Sequence, residues 1–205
     1  MSVSVELGEQ REVALPQGTV RYRERGSGEP LVFVHGFLVN GDLWRKVVPE
    51  LAKDFRCITP DWPLGSHELP MKPDADLSAP GLARLIADFL EALDLHNVTL
   101  VGNDTGGGLC QLVVTRHPDR IGRLVLTPCD AFENFPPRFF RIVLAPAALP
   151  GGAWAMLQPL RINALRHTPI AFGWLAKHGI DREATDSYLR PPLSSRAVRR
   201  DARKV

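Results

Sequence analysis

The segment VTLVGNDTGGG, residues 98–108, decides the fold of this chain. An apolar run ends at Val101, Asp104 follows between glycines, and a helical pattern begins directly after it. Gly102 and Gly106 stand two residues on either side of Asp104, which lets the backbone turn sharply and hold the central residue in a strained conformation. A strand–turn–helix elbow of this kind presents its central side chain as a nucleophile beside the amides of a helix N-terminus. The usual central residue is serine, and here it is aspartate.

Strand and helix patterns alternate around this elbow. The apolar run at residues 31–34 predicts a strand buried on both faces, and residues 55–59 and 123–127 predict two further strands, of which the last would be an unprotected sheet edge. Two spaced apolar stripes predict helices: Trp44, Val47, Val48 and Leu51, and then Leu82, Leu85, Ile86, Phe89, Leu90 and Leu93 behind a Ser78 cap with Pro80 in the first turn. Such alternation is typical of an α/β fold with a mostly parallel sheet. Ligands of these sheets bind at the carboxyl ends of the strands, where Asp104 would lie.

The two ends of the chain differ from this middle part. Alternating Val3, Val5 and Leu7 predict an exposed edge strand, and residues 19–22 predict a second strand after a turn. From Ala131 onward, prolines and glycines divide the chain into short helical pieces that carry aromatic residues. We therefore expect a core at residues 1–130 and a helical cap at residues 131–205. The basic segment 196–205 predicts a charged helix with nothing to pack against.

Composition narrows the class of protein. The chain has 205 residues, of which 44% are hydrophobic and 23% charged, with a net charge of +2, so no strong attraction to nucleic acid or anionic membrane is expected. No apolar run approaches the roughly 18 residues of a membrane span. The N-terminus does not resemble a secretory signal, and three widely spaced cysteines favour free thiols over disulfides. We expect a cytoplasmic protein without a metal site or a cofactor, and composition leaves its oligomeric state open.

Three segments together resemble the α/β-hydrolase superfamily, in its branch with an aspartate nucleophile. They are His35-Gly36-Phe37 after one strand, Thr59-Pro60-Asp61 after the next, and the elbow itself. Haloalkane dehalogenases, fluoroacetate dehalogenases and epoxide hydrolases belong to this branch. The resemblance extends over about residues 20–135, with a looser match in the cap region. It implies an α/β-hydrolase fold with a helical cap.

The resemblance also implies roles for individual residues. Asp104 would be the nucleophile, and the backbone amides of Thr105 and of Phe37 or Leu38 would form the oxyanion hole, with His35 as a structural residue. A carboxylate suits displacement at a saturated carbon that carries a halide or an epoxide oxygen, through an alkyl ester on the enzyme. Asp130 is the candidate acid of the triad, with Glu133 as a nearby rival. The alternative is an elbow aspartate with no nucleophilic role.

Other features depart from the superfamily pattern. The catalytic histidine of these enzymes comes late in the chain, whereas His67, His96, His117, His167 and His178 all precede that point. We therefore expect the chain to be truncated before that histidine and its last strands, with completion by another chain as the alternative. The leaving-group residues of each subclass are missing too. Thr105 and Phe37-Leu38 replace the halide-binding residues, and Tyr188 is the single tyrosine of the cap.

We expect the cap to line a pocket for a small, mostly apolar substrate, with contacts from Trp44, Trp154, Phe172 and Trp174. The competing class is a catalytically inactive remnant or binding protein that keeps this pocket. A Rossmann-type nucleotide binder is disfavoured, because the glycines follow a late strand and no acidic ribose-binding residue follows at the expected strand end.

Overall fold

A computed structural model describes residues 5–129, 142, 145–149, 151–169, 171–173 and 175–205. Val3, Asp130, Glu133 and Trp174, which the sequence singled out, lie outside the described residues. The described residues form a six-stranded sheet that carries the elbow at its carboxyl edge. The strands are β1 (Glu9–Leu15), β2 (Gly18–Arg25), β3 (Pro30–Val34), β4 (Arg56–Pro60), β5 (Val98–Gly102) and β6 (Ile121–Leu126).

The strand order is β1-β2-β4-β3-β5-β6. Strands β4, β3, β5 and β6 are parallel, and β1 and β2 join them as an antiparallel hairpin at one edge. The predicted mostly parallel sheet is confirmed. Because β5 lies between β3 and β6, the loops that follow these three strands meet at one edge of the sheet, where parallel α/β proteins bind ligands.

Seven α-helices have described bounds. They are α1 (Val48–Leu51), α2 (Ala79–Ala92), α3 (Thr105–Arg116), α4 (Gly152–Leu157), α5 (Asn163–Arg166), α6 (Arg182–Ser194) and α7 (Arg196–Ala202). The predicted start of α2 is confirmed, since the Ser78 hydroxyl accepts a hydrogen bond from the Gly81 amide at 3.3 Å. No helix among the described residues is long and apolar enough to cross a membrane.

The core lies on both faces of the sheet. Successive side chains of a strand point to opposite faces, so Val32 and Val34 of β3 pack with the apolar stripe of α2, whereas Leu31 and Phe33 pack on the other side. A third cluster joins Val39 to α4 and α6 through apolar side chains: Leu157, Phe172, Ala184, Tyr188 and Leu189. This third cluster holds the C-terminal helices against the loop after β3.

Two local predictions are wrong. Residues 5–7 form a short 3₁₀ turn, and β1 begins at Glu9, because Gly8 turns with φ of +92° where the chain crosses β2. The helix predicted from Trp44 to Leu51 is broken into a 3₁₀ turn, Gly41–Trp44, and α1, which leaves Val47 42% exposed. Pro49 explains the break, since proline favours the first turn of a helix and interrupts its interior.

The prediction that residues 196–205 have nothing to pack against is also wrong. Val198 and Asp201 of α7 are completely buried. The Asp201 carboxylate accepts a hydrogen bond from the Met71 amide at 2.8 Å and lies 3.3 Å from His67 Nε2. This buried face is difficult to recognise in the sequence, because basic residues alternate with Val198 and Asp201 along one short helix.

Candidate active site

The elbow between β5 and α3 has a strained backbone. Asp104 adopts φ of 53° and ψ of −131° directly before the first turn of α3. A Cβ atom on Gly106 would lie 2.2 Å from the Val34 carbonyl oxygen, and one on Gly102 would lie 2.6 Å from the Gly107 Cα atom. The two glycines therefore permit the close contact between strand and helix that fixes the Asp104 backbone.

The Asp104 side chain faces the loop that follows β3. Its Oδ2 atom accepts a hydrogen bond from the Phe37 amide at 3.3 Å. A Cβ atom on Gly36 would lie 2.2 Å from the same oxygen, so this glycine leaves room for the carboxylate. The Leu38 amide instead donates to the Leu64 carbonyl at 2.9 Å. Of the two amides that the sequence left open in this loop, Phe37 is the one directed at Asp104.

His35 fixes the shape of that loop. Its ring is completely buried, with Nδ1 2.9 Å from the Gly36 carbonyl oxygen and Nε2 accepting a hydrogen bond from the Trp62 amide at 2.9 Å. Burial lowers the pKa of His35 to about 4, so the ring is neutral at physiological pH. Both ring nitrogens have backbone partners, which makes His35 a structural residue that joins the loops after β3 and β4.

The elbow is also bonded to the segment that follows β6. The Asp104 amide donates to the Pro128 carbonyl at 2.9 Å. The Asn103 side-chain amide donates to the Thr127 hydroxyl at 2.9 Å and to the Pro128 carbonyl at 3.1 Å. These bonds place the end of β6 beside the nucleophile candidate, two residues before Asp130.

Asp104 lines a cavity of about 440 Å³, a volume suited to a small molecule. Most of the wall is apolar, and its polar side chains are Asn103, Asp104, Arg45 and Tyr188. The remaining lining comes from the loop after β3, from Pro128 and from the segment before α6: Gly36, Phe37, Val39, Leu43, Leu175, Ala176, Gly179 and Ile180. The arrangement puts a carboxylate at the edge of a largely apolar space, beside a backbone amide that stabilises negative charge.

Residues 29–142, more than half of the chain, match the family described as alpha/beta hydrolase fold. The chain belongs to this family. It is 33% identical over 129 residues to a haloalkane dehalogenase of Mesorhizobium japonicum, covering 60% of this chain and 41% of that protein. It is 36% identical over 126 residues to the 2-hydroxymuconate semialdehyde hydrolase of Pseudomonas sp. strain CF600, covering 60% of this chain and 44% of that protein.

A solved structure shares the same fold. The ligand-free epoxide hydrolase CorEH matches 95% of this chain with a TM-score of 0.77 at 20% identity, and 71% of that chain is covered. The predicted α/β-hydrolase fold is confirmed. The chain spans about two fifths of the length of the curated relatives that it matches.

In this α/β-hydrolase-fold chain, the aromatic residues predicted to bind substrate have different places. Phe172 is buried and packs against Tyr188, which lines the cavity, with 6.0 Å between the ring centroids. Trp44 packs in the core on Phe33, with ring centroids 4.9 Å apart, and is not part of the cavity wall. Trp154 is 49% exposed and also lies outside the wall. None of Trp44, Trp154 and Phe172 therefore belongs to the described cavity wall, contrary to the predicted contacts, and Phe172 packs behind the wall residue Tyr188.

Sequence reasoning missed Arg45 as a residue of the cavity and set Tyr188 aside as a single cap tyrosine. Arg45 directly follows Trp44 in a segment with an amphipathic pattern, where a basic residue is usually solvated. Tyr188 is completely buried, and this burial could have been suspected from its place among the apolar residues of α6. Neither residue carried a motif.

None of the six histidines of the chain lines the cavity. His67 is buried against Asp201, and His96 pairs with Asp94 at the surface. Within the described ranges, no group of three or more His, Cys, Asp or Glu side chains is arranged to hold a metal ion. Among the described residues, the polar groups of the cavity wall are the side chains of Asn103, Asp104, Arg45 and Tyr188, with the Phe37 amide beside Asp104.

Proposed function

We propose that this chain is a hydrolase of the α/β-hydrolase type in which the Asp104 carboxylate is the nucleophile. The observation that carries the proposal is the position of Asp104 on a strained elbow, half-buried at a cavity wall, with the Phe37 amide 3.3 Å from Oδ2. A strained backbone at the edge of a cavity is a frequent sign of a functional side chain. Asp61 and Asp201, by contrast, are buried away from this cavity.

In the first step, an Asp104 oxygen attacks a saturated carbon of the substrate. A carbon–oxygen bond forms, and the carbon–halogen bond breaks with its electron pair leaving on the halide. With an epoxide, a ring carbon–oxygen bond breaks instead, and the resulting alkoxide takes a proton from a water molecule, which becomes hydroxide. The product in both cases is an alkyl ester of Asp104.

In the second step, water attacks the carbonyl carbon of that ester, and the alcohol leaves as the carboxylate is restored. The oxygen of Asp104 that develops negative charge would be stabilised by the amides of Phe37 and Thr105. This step requires a general base, and Asp130 is proposed to orient it. Since no histidine lines the cavity, we expect ester hydrolysis to be slow in this 205-residue chain.

The proposed substrates are small haloalkanes or epoxides. A haloalkane dehalogenase among the relatives and an epoxide hydrolase among the structures with this fold agree with such chemistry. The cavity volume of about 440 Å³ and the apolar wall suit a molecule of a few carbon atoms. The choice between halide and epoxide is left to experiment, because leaving-group residues typical of either subclass are missing from the elbow and its loop.

Intact-mass spectrometry tests the proposal. The purified chain is incubated with a panel of alkyl bromides and aryl epoxides, and peptides are mapped for added alkyl mass. We expect one adduct on Asp104, which Asp104→Asn abolishes. Hydroxylamine should release this adduct, because it cleaves an ester but leaves a thioether on Cys129, the cysteine with partial exposure, intact.

A second candidate is a binding protein that keeps the cavity without turnover, which the lack of a histidine in the wall favours. The two candidates differ in the first step alone. If a folded chain forms no ester on Asp104 with any reagent of the panel, the nucleophile proposal is wrong and the binding protein remains.

A further inference from the structure

The cavity has a second polar region besides Asp104, made by Arg45 and Tyr188. Both residues line the wall, where Arg45 is the basic side chain among the described residues, and apart from Asn103 and Asp104 the other described wall residues are apolar or glycine. Arg45 comes from the loop after β3, whereas Tyr188 comes from α6. A cation and a phenol thus meet across the junction between the sheet loops and the C-terminal helices.

Arg45 is held in place by two hydrogen bonds that leave part of its guanidinium available. Nη1 donates to the Asp42 carbonyl at 3.0 Å, and Nη2 donates to the Asp181 carboxylate at 2.9 Å. A guanidinium has further N–H donors in a planar fork, which suits a carboxylate. Two carboxylates act on the Arg45 charge: Asp181, which is 62% exposed and therefore weakened by solvent, and Asp42, which is buried and bonded to the Ser187 hydroxyl.

Tyr188 supplies a buried hydroxyl group that lacks a partner. Its side chain is completely buried, and the hydroxyl oxygen forms no hydrogen bond within the described part of the chain. A buried hydroxyl without a partner carries a free-energy cost that a ligand oxygen would remove. Burial raises the pKa of Tyr188 above its usual range, and the Asp42 and Asp181 carboxylates add to this, whereas the Arg45 side chain opposes it, so the phenol stays protonated and can donate.

The position of Tyr188 is fixed by its neighbours. The preceding residue, Ser187, donates its hydroxyl hydrogen to the Asp42 carboxylate at 2.9 Å, and its carbonyl accepts from the Asn40 side chain at 3.3 Å. The Phe172 ring packs against the Tyr188 ring. The phenol is therefore held beside Arg45 before any ligand binds, which lowers the cost of binding.

We infer that Arg45 and Tyr188 form a subsite for a carboxylate group of the substrate, so that the preferred substrates are small organic acids with a reactive carbon at some distance from the acid group. This inference rests on the proposed function of Asp104. Because the Asp104 carboxylate repels a second negative charge nearby, a substrate acid must bind away from the reacting carbon. In this proposal, the apolar side chains of the same cavity take the intervening carbon chain.

The rate of ester formation on Asp104 tests the subsite. Three reagents of similar size are compared: 4-bromobutanoate, its neutral methyl ester and 1-bromobutane. We expect the acid to react fastest at low concentration. Arg45→Gln should lower the ratio of the acid rate to the methyl ester rate by about 10-fold or more, and Tyr188→Phe by about 3-fold, as expected for one charged and one neutral hydrogen bond.

The matched control is Lys46→Gln. Lys46 is the neighbouring cation, lies 3.6 Å from the same Asp181 carboxylate and is not part of the cavity wall. This variant should leave the ratio unchanged, whereas Asp181→Asn should raise it by freeing Arg45. Arg45→Lys keeps the charge without the planar fork and should give an intermediate ratio. Circular dichroism confirms that each variant is folded.

Binding of butanoate, measured by calorimetry, separates this inference from the nucleophile proposal. If all three reagents modify Asp104 but Arg45→Gln and Lys46→Gln give the wild-type ratio, the subsite is overturned and the nucleophile stands. If no reagent modifies Asp104 but butanoate binds and Arg45→Gln weakens that binding at least about 10-fold, the subsite stands and the nucleophile proposal fails. If butanoate does not bind to the folded chain and the ratio is insensitive to Arg45, the subsite is wrong.

Discussion

The elbow at Asp104 and the contact at Asp201 use the same type of side chain in opposite ways. We call the second region the α7 anchor, made by His67, Met71, Arg200 and Asp201. At the anchor, Oδ2 accepts from the Met71 amide at 2.8 Å and lies 3.3 Å from His67, and Oδ1 accepts from Arg200 at 2.7 Å. At the elbow, the carboxylate stands on a strained backbone at a cavity wall.

The difference shows how surroundings assign a role to a carboxylate. Both oxygens of Asp201 are bonded inside the protein, so the residue joins α7 to the loop after β4 and contacts no cavity described above. At the elbow, a strained backbone instead directs one carboxylate to the cavity, where a ligand fits. A bonded, buried carboxylate is a structural element, whereas a strained one at a cavity is a candidate for chemistry.

Asp61 is an intermediate case. It is buried, and its Oδ1 accepts from the Gly41 amide at 3.0 Å. Burial raises the pKa of Asp61 to about 6, although the Gly41 hydrogen bond opposes this effect. At Asp201, burial also favours the neutral form, but hydrogen bonds from His67, Arg200 and the Met71 amide outweigh it and lower the pKa below its usual value. The two buried carboxylates therefore predict opposite responses of stability to pH.

The largest effect is expected from Gly106→Ala, which breaks the elbow without touching Asp104. The new Cβ atom would lie 2.2 Å from the Val34 carbonyl oxygen and 2.5 Å from the His35 carbonyl oxygen. Both contacts are with backbone, so the strand and the helix must separate. We expect the free energy of unfolding, measured in urea, to fall by more than about 3 kcal/mol.

Gly151→Ala is the matched control for this change. Gly151 has a φ of +78° but nothing within 4 Å of a built Cβ atom, so its substitution introduces backbone strain without a clash. We expect it to cost about 1 kcal/mol. An equal cost for the two substitutions would show that close contact at the elbow is not what Gly106 provides.

The next largest effect is expected from Asp201→Ala, which breaks the α7 anchor. It leaves the Met71 amide and the His67 ring without their buried partner, so the free energy of unfolding at pH 7 should fall by about 2–3 kcal/mol. Because folding lowers the pKa of Asp201, its stabilisation is present above the ordinary aspartate pKa of about 4 and is lost as pH falls through the folded value.

The free energies of unfolding of wild type and Asp201→Ala, measured in urea between pH 3 and pH 7, should therefore approach each other as the pH falls. Glu50→Gln is the control, because it removes an exposed ion pair with Lys53 and should change stability by less than about 0.5 kcal/mol. A difference between wild type and Asp201→Ala that does not depend on pH would contradict the ionised anchor.

The elbow could be predicted from sequence because every residue that forms it lies within a few positions. Two glycines around Asp104, an apolar run before it and a helical pattern after it are a local signal. The α2 stripe behind Ser78 is local in the same way, and both were placed correctly. The mostly parallel sheet followed from the alternation of strands and helices, whereas the strand order came from the structure alone.

The anchor and most of the cavity could not be predicted in this way. His67 and Asp201 are 134 positions apart, and the basic residues around Asp201 suggested a solvated helix. Trp44 was expected in the apolar pocket, but a large aromatic side chain also suits the core, where it packs on Phe33. Arg45, the next residue, lines the cavity instead. Only the long-range packing of the C-terminal helices decides which of these two neighbouring residues lines the cavity and which lies in the core.

A smaller effect with the opposite dependence on pH is expected from Asp61→Asn. Because folding raises the pKa of Asp61 to about 6, the folded state favours the protonated form. This contribution is present below about pH 4 and is lost as pH rises through about 6. Asparagine keeps an acceptor for the Gly41 amide and carries no charge. We expect Asp61→Asn to raise the free energy of unfolding by about 1–2 kcal/mol at pH 7.5 and to have little effect at pH 4.

The exposed Asp74 provides a control, since Asp74→Asn should change stability little at either pH. If Asp61→Asn stabilised the protein relative to wild type more at pH 4 than at pH 7.5, the sign of the expected effect would be reversed. It would mean that Asp61 resembles Asp201, with its charge stabilised by its surroundings.

The smallest effect distinguishes strain from side-chain contacts at the elbow. Asp104→Gly and Asp104→Ala both remove the carboxylate and its hydrogen bond to Phe37, but only glycine relieves the cost of a φ of +53°. Strain of this kind costs about 1–3 kcal/mol, of which glycine's greater entropy in the unfolded chain offsets about 0.5–1 kcal/mol. We therefore expect the free energy of unfolding of Asp104→Gly to be about 1 kcal/mol higher than that of Asp104→Ala. Neither variant should form an ester with alkyl bromides. Equal stability of the two variants would mean that the Asp104 backbone is relaxed. The difference between the elbow and the α7 anchor would then lie in the surroundings of the two carboxylates alone.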